Sequence, residues 1–112
     1  MENTADIRLS TLGLAARAGK LVYGTPAVCD ALKEKKVLAV VEASGNAENT
    51  AKRLRDRCAF YAVPLYLVSA DAEALGRALG KGPIAAVGVC DASFAQAILA
   101  KTTKDSAKKQ NM

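Results

Sequence analysis

The sequence predicts an α/β protein: a three-layer α/β/α sandwich with a four-stranded mixed sheet. Three observations carry that prediction. Helix-spaced and strand-like segments alternate in the order α, β, α, β, α, β, α, β, α, which sets helical layers against a sheet. Two apolar runs, Val37–Val41 and Ile84–Cys90, have the length of strands covered on both faces and fall far short of the ~20 residues of a bilayer span. Finally, the 112 residues are 51% hydrophobic and 24% charged. That suits one domain with its own core, expected over 1–100, followed by a lysine-rich flexible tail over 101–112.

The first helical segment runs from Thr4 to Ala18, with Ile7, Leu9, Leu12, Ala15 and Ala16 in a mostly helical spacing. Gly19 supplies the left-handed stop. Leu21-Val22-Tyr23 is a short extended piece. Gly24-Thr25-Pro26 opens the next helix, since the Thr25 hydroxyl can cap it and Pro26 suits its first position. Val28, Ala31 and Leu32 give that helix one apolar face, and Lys33, Lys35 and Lys36 match the negative end of its dipole. Val37-Leu38-Ala39-Val40-Val41 reads as a central strand.

Ser44-Gly45-Asn46 turns the chain, and Asn46 or Asn49 can cap the following helix. Its apolar positions are Ala51, Leu54, Cys58 and Tyr61, while Lys52, Arg53, Arg55 and Arg57 occupy its solvated faces. Pro64–Val68 is strand-like. Ser69 to Leu79 forms a short helix closed by Gly80, with Asp71 and Glu73 favouring its N-terminus. Ile84–Val89 is the last strand. Asp91 caps a final helix that carries Phe94, Ala95, Ile98 and Leu99 on one side.

Composition removes whole classes of chemistry. Histidine is absent, and with it the commonest general base and metal ligand. Cys29, Cys58 and Cys90 are 29 and 32 residues apart, with no Cys-x-x-Cys pair, so they read as reduced thiols packed like small apolar groups and not as a zinc site or disulfide framework. Two glycine–lysine spots imitate a phosphate loop, one from Gly13 to Gly19-Lys20-Leu21 and one from Gly76 to Gly80-Lys81-Gly82. Neither has the four-residue spacing or the closing hydroxyl, and neither follows a strand. No nucleophile has an activating partner. The expectation is therefore no catalytic residues, no cofactor and no metal.

The net charge is +5. Much of it lies in the tail, where Lys101, Lys104, Lys108 and Lys109 face a single acid, Asp105. A polyanionic partner would have to meet a local patch. The start, Met1 to Asp6, is polar and carries no targeting pattern, so a cytoplasmic protein without membrane contact is expected. The stretch from Gly19-Lys20 to Gly24-Thr25 offers such a patch. Gly24 permits close approach, the helix opening near Thr25 points free N–H groups outward, and Lys20 and Arg17 add positive charge.

At these residues a resemblance becomes specific. The pieces are Leu12-Gly13-Leu14-Ala15-Ala16-Arg17-Ala18-Gly19-Lys20-Leu21-Val22, then Gly24, then Glu48-Asn49-Thr50, then Cys58 and Tyr61 before Val63-Pro64, and Leu75-Gly76 through Gly80-Lys81. In order and spacing, from about Leu9 to Leu99, the chain resembles the L-seven-Ae family of kink-turn RNA binders, which includes ribosomal protein L-thirty-e, and within it a small bacterial branch.

The resemblance implies a compact α/β/α sandwich that meets RNA at one end. There a loop and helix N-terminus enter the groove of a kinked stem with tandem sheared G·A pairs, and a second loop covers a flipped-out nucleotide. On this chain it implies RNA contacts at Arg17, Lys20, Gly24, Thr25, Pro26 and Ala27, at Ser44 in the turn after a strand, and at Val68 and Ser69.

The family's Gly-x-Asn-Glu-x-x-Lys reads here Gly24-Thr25-Pro26-Ala27-Val28-Cys29-Asp30, which drops the amide and carboxylate that read base edges and reverses the charge of the lysine position. The expected function is thus a non-catalytic RNA-binding protein, ribosome-associated or of the kink-turn type, with a degenerate reading motif. A protein-interaction module on the same scaffold, with a protein partner in place of RNA, is the alternative.

Overall fold

The computed structural model of the chain describes residues 3–4, by their backbone, and residues 9–97. In chain order the elements are β1 (Asn3–Thr4), α1 (Leu9–Arg17), β2 (Leu21–Tyr23), α2 (Thr25–Lys33), β3 (Ala39–Ser44), α3 (Glu48–Tyr61), β4 (Leu65–Asp71), α4 (Ala72–Ala78) and β5 (Ala86–Val89). A last helix, α5, covers 92–97. The expected lysine-rich tail, with Ile98 and Leu99 of the final helix, lies outside the described residues.

The sheet order is β1-β4-β3-β5-β2. β3 runs parallel to β4, β4 parallel to β1, and β5 antiparallel to both β3 and β2. The sheet is therefore mixed, and all four predicted strands are in it. β3 lies at the centre and is buried from Ala39 through Ala43, as its continuous apolar run requires.

Strand alternation divides the core into two layers. Val41 and Val87 face Leu12, Tyr66, Leu75 and Ala95, so α1, α4 and α5 cover one side. Val40 and Ala86 face Val28, Leu32, Leu54 and Cys58, so α2 and α3 cover the other. The apolar faces read from spacing on α2 and α3 are the buried ones. Cys29 and Cys58 are buried free thiols, and Cys90 is a half-buried one. Glu42 also lies in the central strand and is only 2% exposed.

Several boundaries differ from the sequence reading, the central strand running Ala39–Ser44 in place of Val37–Val41 and the last strand Ala86–Val89 in place of Ile84–Val89. Thr4, read as the start of the first helix, belongs to the two-residue strand β1, paired through Asn3 with Tyr66 and through Thr4 with Leu67, and the described span of α1 is Leu9–Arg17; Ile7 lies outside the described residues. Ser69 to Asp71 continue β4 instead of opening α4, because Asp71 still pairs with Ser44 across the ladder. Neither Asn46 nor Asn49 caps α3: the N-cap is Ala47, and no side-chain cap is made. Among the described residues no helix is long and apolar enough to cross a membrane.

Candidate nucleic-acid interface

Topology gathers one end of the sandwich. β2 and β3 both run antiparallel to β5, and β4 runs parallel to β3, so β2, β3 and β4 all finish on the same side. α2, α3 and α4 begin there. At this end Gly24 has φ 89° and ψ 151°, a left-handed φ that a residue with a Cβ rarely adopts. The Gly24 N–H donates to the Ala86 carbonyl at 2.8 Å, and its carbonyl accepts from the Val28 N–H at 2.9 Å. Gly24 thus ends β2 and serves as N-cap of α2.

Thr25 does not cap, contrary to expectation. It lies inside the helix, with Pro26 behind it in the first turn, and no side-chain cap is made. The Thr25 and Ala27 N–H groups have no acceptor within the helix and face outward. α3 opens beside it without a side-chain cap as well. α4 differs, because the Asp71 carboxylate accepts from the Ala74 N–H at 2.9 Å. Two of the three helix starts at this end therefore present open donors on a positive dipole end, an arrangement suited to anionic groups.

Polar ties hold the surrounding loops. The Ser44 hydroxyl donates to the Ser69 carbonyl at 3.2 Å, joining the ends of β3 and β4. The Asn46 side-chain amide donates to the Ala43 carbonyl at 3.1 Å and the Ala85 carbonyl at 3.0 Å. Asn46 is thus a loop staple where a helix cap was expected. The Lys81 ammonium lies 4.7 Å from the centroid of the Tyr23 ring, close enough for cation–π attraction, and brings a positive charge to the strand end next to Gly24. Neither Asn46 nor Lys81 is singled out by the sequence as a site residue. For Lys81 the available signal is its place in Gly80-Lys81-Gly82.

The structure brings Gly24, Thr25, Pro26, Ala27, Ser44 and Ser69 together at this end. Pro26, Ala27 and Ser69 are exposed; Gly24, Thr25 and Ser44 are half-buried. Val68 is not on the surface: it is 3% exposed and packs in the core beside Tyr66 and Leu75. Arg17 and Lys20 are exposed, but Lys20 lies at the far end of β2. Its carbonyl accepts from the Cys90 N–H at 2.9 Å, while Gly24 bonds to Ala86. Four residues of extended chain separate these two anchor points, about 13 Å.

Burial, reinforced by nearby Cys29 and Glu42, pushes the Cys58 thiol up to about 12, which keeps it protonated and unreactive. Among the described residues no cluster of acids and thiols could hold a metal ion.

Comparison with known proteins places this geometry. Residues 8–107 match the model of the ribosomal protein L7Ae/L30e/S12e/Gadd45 family. The chain is 36% identical over 88 residues to a protein of Bacillus subtilis (strain 168) named RNA-binding protein YlxQ, an alignment covering 79% of this chain and 87% of that one. It is 33% identical over 95 residues to the RNA-binding protein YlxQ of Enterococcus faecium, covering 85% and 90%.

A solved structure of a Bacillus halodurans protein of unknown function superposes with a TM-score of 0.77 at 39% identity, covering 82% of this chain and 92% of that one. The 15.5kD RNA binding protein of Giardia lamblia superposes with a TM-score of 0.71 at 18% identity, covering 90% and 92%, and shares the fold. With its matched length, sandwich topology and glycine-hinged strand end, the chain belongs to the ribosomal protein L7Ae/L30e/S12e/Gadd45 family.

Proposed function

We propose that this protein is a non-catalytic RNA-binding protein that seats a kinked stem against the end formed by Gly24, Ser44 and Ser69. One observation carries the reading. The uncapped starts of α2 and α3 open side by side at the strand ends that Ser44 and Asn46 tie together. The relatives named RNA-binding protein support it. The Pro26-Ala27 pair offers no base-reading amide or carboxylate, so recognition relies on backbone N–H groups, Lys81 and the shape of the end. Association with the ribosome follows as the cellular setting that the family description suggests.

The test is a titration of a kink-turn stem and an unkinked duplex of equal length, each at two salt concentrations. A phosphate-led grip makes affinity for the kinked stem fall steeply with salt and keeps it above that for the duplex. Barely measurable, equal binding to both would refute the kinked-stem reading and favour a protein partner at this end.

A further inference from the structure

We propose that α3 carries a second RNA track, running from Asn49 through Arg53 and Arg57 to Phe60, which leads an unpaired strand away from the bound stem and lodges a base in a groove at the opposite end of the sandwich. The inference rests on the RNA-binding reading above and names a further surface for the same class of ligand.

The geometry of one helix sets the track. Asn49, Arg53, Arg57 and Phe60 are spaced four, four and three residues apart, so they share one face of α3. Asn49 lies in the first turn, at the candidate interface, and Phe60 in the last. The helix has 14 residues and is about 21 Å long, so the face joins the two ends of the molecule. The neighbouring cations are engaged: Lys52 pairs with Asp56 at 2.7 Å, and Arg55 with Glu48 at 3.3 Å. Arg53 and Arg57 make no ion pair among the described residues and remain available to phosphates.

At the far end lies a groove of about 390 Å³ between the C-termini of α2 and α3, floored by Leu32, Val37, Leu38, Tyr61 and Val63. Phe60 is 79% exposed and stands edge to face with Tyr61, with ring centroids 4.8 Å apart. Such a ring is a stacking surface that any base can use.

Positive charge predominates around the groove, which Lys35 lines. Lys33, Lys35 and Lys36 surround the end of α2, and the single acid among them, Glu34, pairs with Lys36 at 3.0 Å. Lys35 lines the groove in the left-handed conformation, φ 61°, at a helix end where glycine is the usual occupant. A lysine there holds an ammonium at the lip at some conformational cost. Lysine is depleted in protein–protein interfaces and suits phosphate as a point charge. Charge and an exposed ring together therefore favour a nucleic-acid strand over a peptide.

The test uses the full chain and a fluorescein-labelled oligouridine of about ten nucleotides, read by anisotropy. Phe60→Ala is expected to weaken binding about tenfold, in line with loss of one stacked base. Arg57→Glu is expected to weaken it and to flatten its salt dependence. Both substitutions are at exposed positions, and thermal melts confirm that the variants fold. A blunt kink-turn stem should bind the native and Phe60→Ala chains equally.

An affinity for oligouridine unchanged in Phe60→Ala overturns the proposal. So does displacement of the oligouridine by an acidic, leucine-containing peptide that binds more tightly, because the groove would then be a protein dock. If the blunt stem fails to bind while the oligouridine response persists, the kinked-stem reading falls and the α3 track stands.

Discussion

Asp30 stands on α2 three residues after Ala27 and four after Pro26, so its exposed carboxylate shares the outer surface of the helix's first turns. It opposes the field that the uncapped N-terminus offers to a phosphate. Reversing a charge near a partly desolvated phosphate is worth on the order of a kcal/mol or more at an effective dielectric near 20. Asp30→Lys is therefore expected to tighten kink-turn stem binding about tenfold, since tenfold corresponds to about 1.4 kcal/mol. A titration at low salt checks this, and an unchanged or weaker affinity would place the RNA elsewhere.

Cys58 makes a different prediction. Its thiol titrates near 9.0 when unperturbed and at about 12 in the folded chain, chiefly through burial. Below the lower value both states hold the proton and the group adds no pH dependence. Above it the unfolded chain sheds the proton first, so stability falls as pH rises from about 9 towards 12. Urea midpoints at about pH 8 and about pH 10 should show that fall, and Cys58→Ala should reduce it. Tyr66, raised by burial, adds a smaller slope of the same sign. At this scale Asp91 is legible as a cap because a short acid before a helix has one obvious use, and it does accept from the Phe94 N–H at 3.1 Å; Asp71, read as a first-turn acid, proves to be the N-cap of α4. Gly24 displaced Thr25 because the strand end needs a left-handed φ.

Among the elements, the α4–β5 connection is the most tightly fitted. A Cβ on Gly76 would run into the backbone carbonyl of Gly82, and the Gly76 carbonyl accepts from the Lys81 N–H at 2.8 Å. The loop folds back onto its own helix, and in doing so it carries Lys81 to Tyr23. Gly76→Ala is expected to cost about 1–3 kcal/mol, the usual penalty of overpacking, and to lower the melting temperature measurably. Unaltered melting would mean that the loop yields freely. The helices and the four longer strands were legible because their apolar spacing persists over several turns or along a whole run. β1 was not, because its partners Tyr66 and Leu67 lie some sixty residues away and two residues hold no period. The start of α4 was misplaced for the same reason: the Ser44–Asp71 pairing is invisible in a local window.

For the molecule as a whole, the candidate site was half legible. The family-like segment pointed to Gly24 through Ala27, and the fold brings Ser44 and Ser69 to them. Arg17 and Lys20 were grouped with the site by proximity along the chain. The three residues of β2 carry them to the other end of that strand, and no composition argument shows such a displacement. Val68 is governed by strand alternation, which turns it into the core. Within the described residues the lysines likewise lie apart, Lys81 at one end and Lys33, Lys35 and Lys36 at the other. The sheet order also has a temporal consequence for a chain made from its N-terminus onward. β2 touches the sheet only through β5, and Gly24 is fixed by Ala86. The hinge is thus synthesised early yet held by a strand that emerges almost last, so a nascent chain cannot assemble the end that carries Gly24 until nearly all of the described fold has left the ribosome.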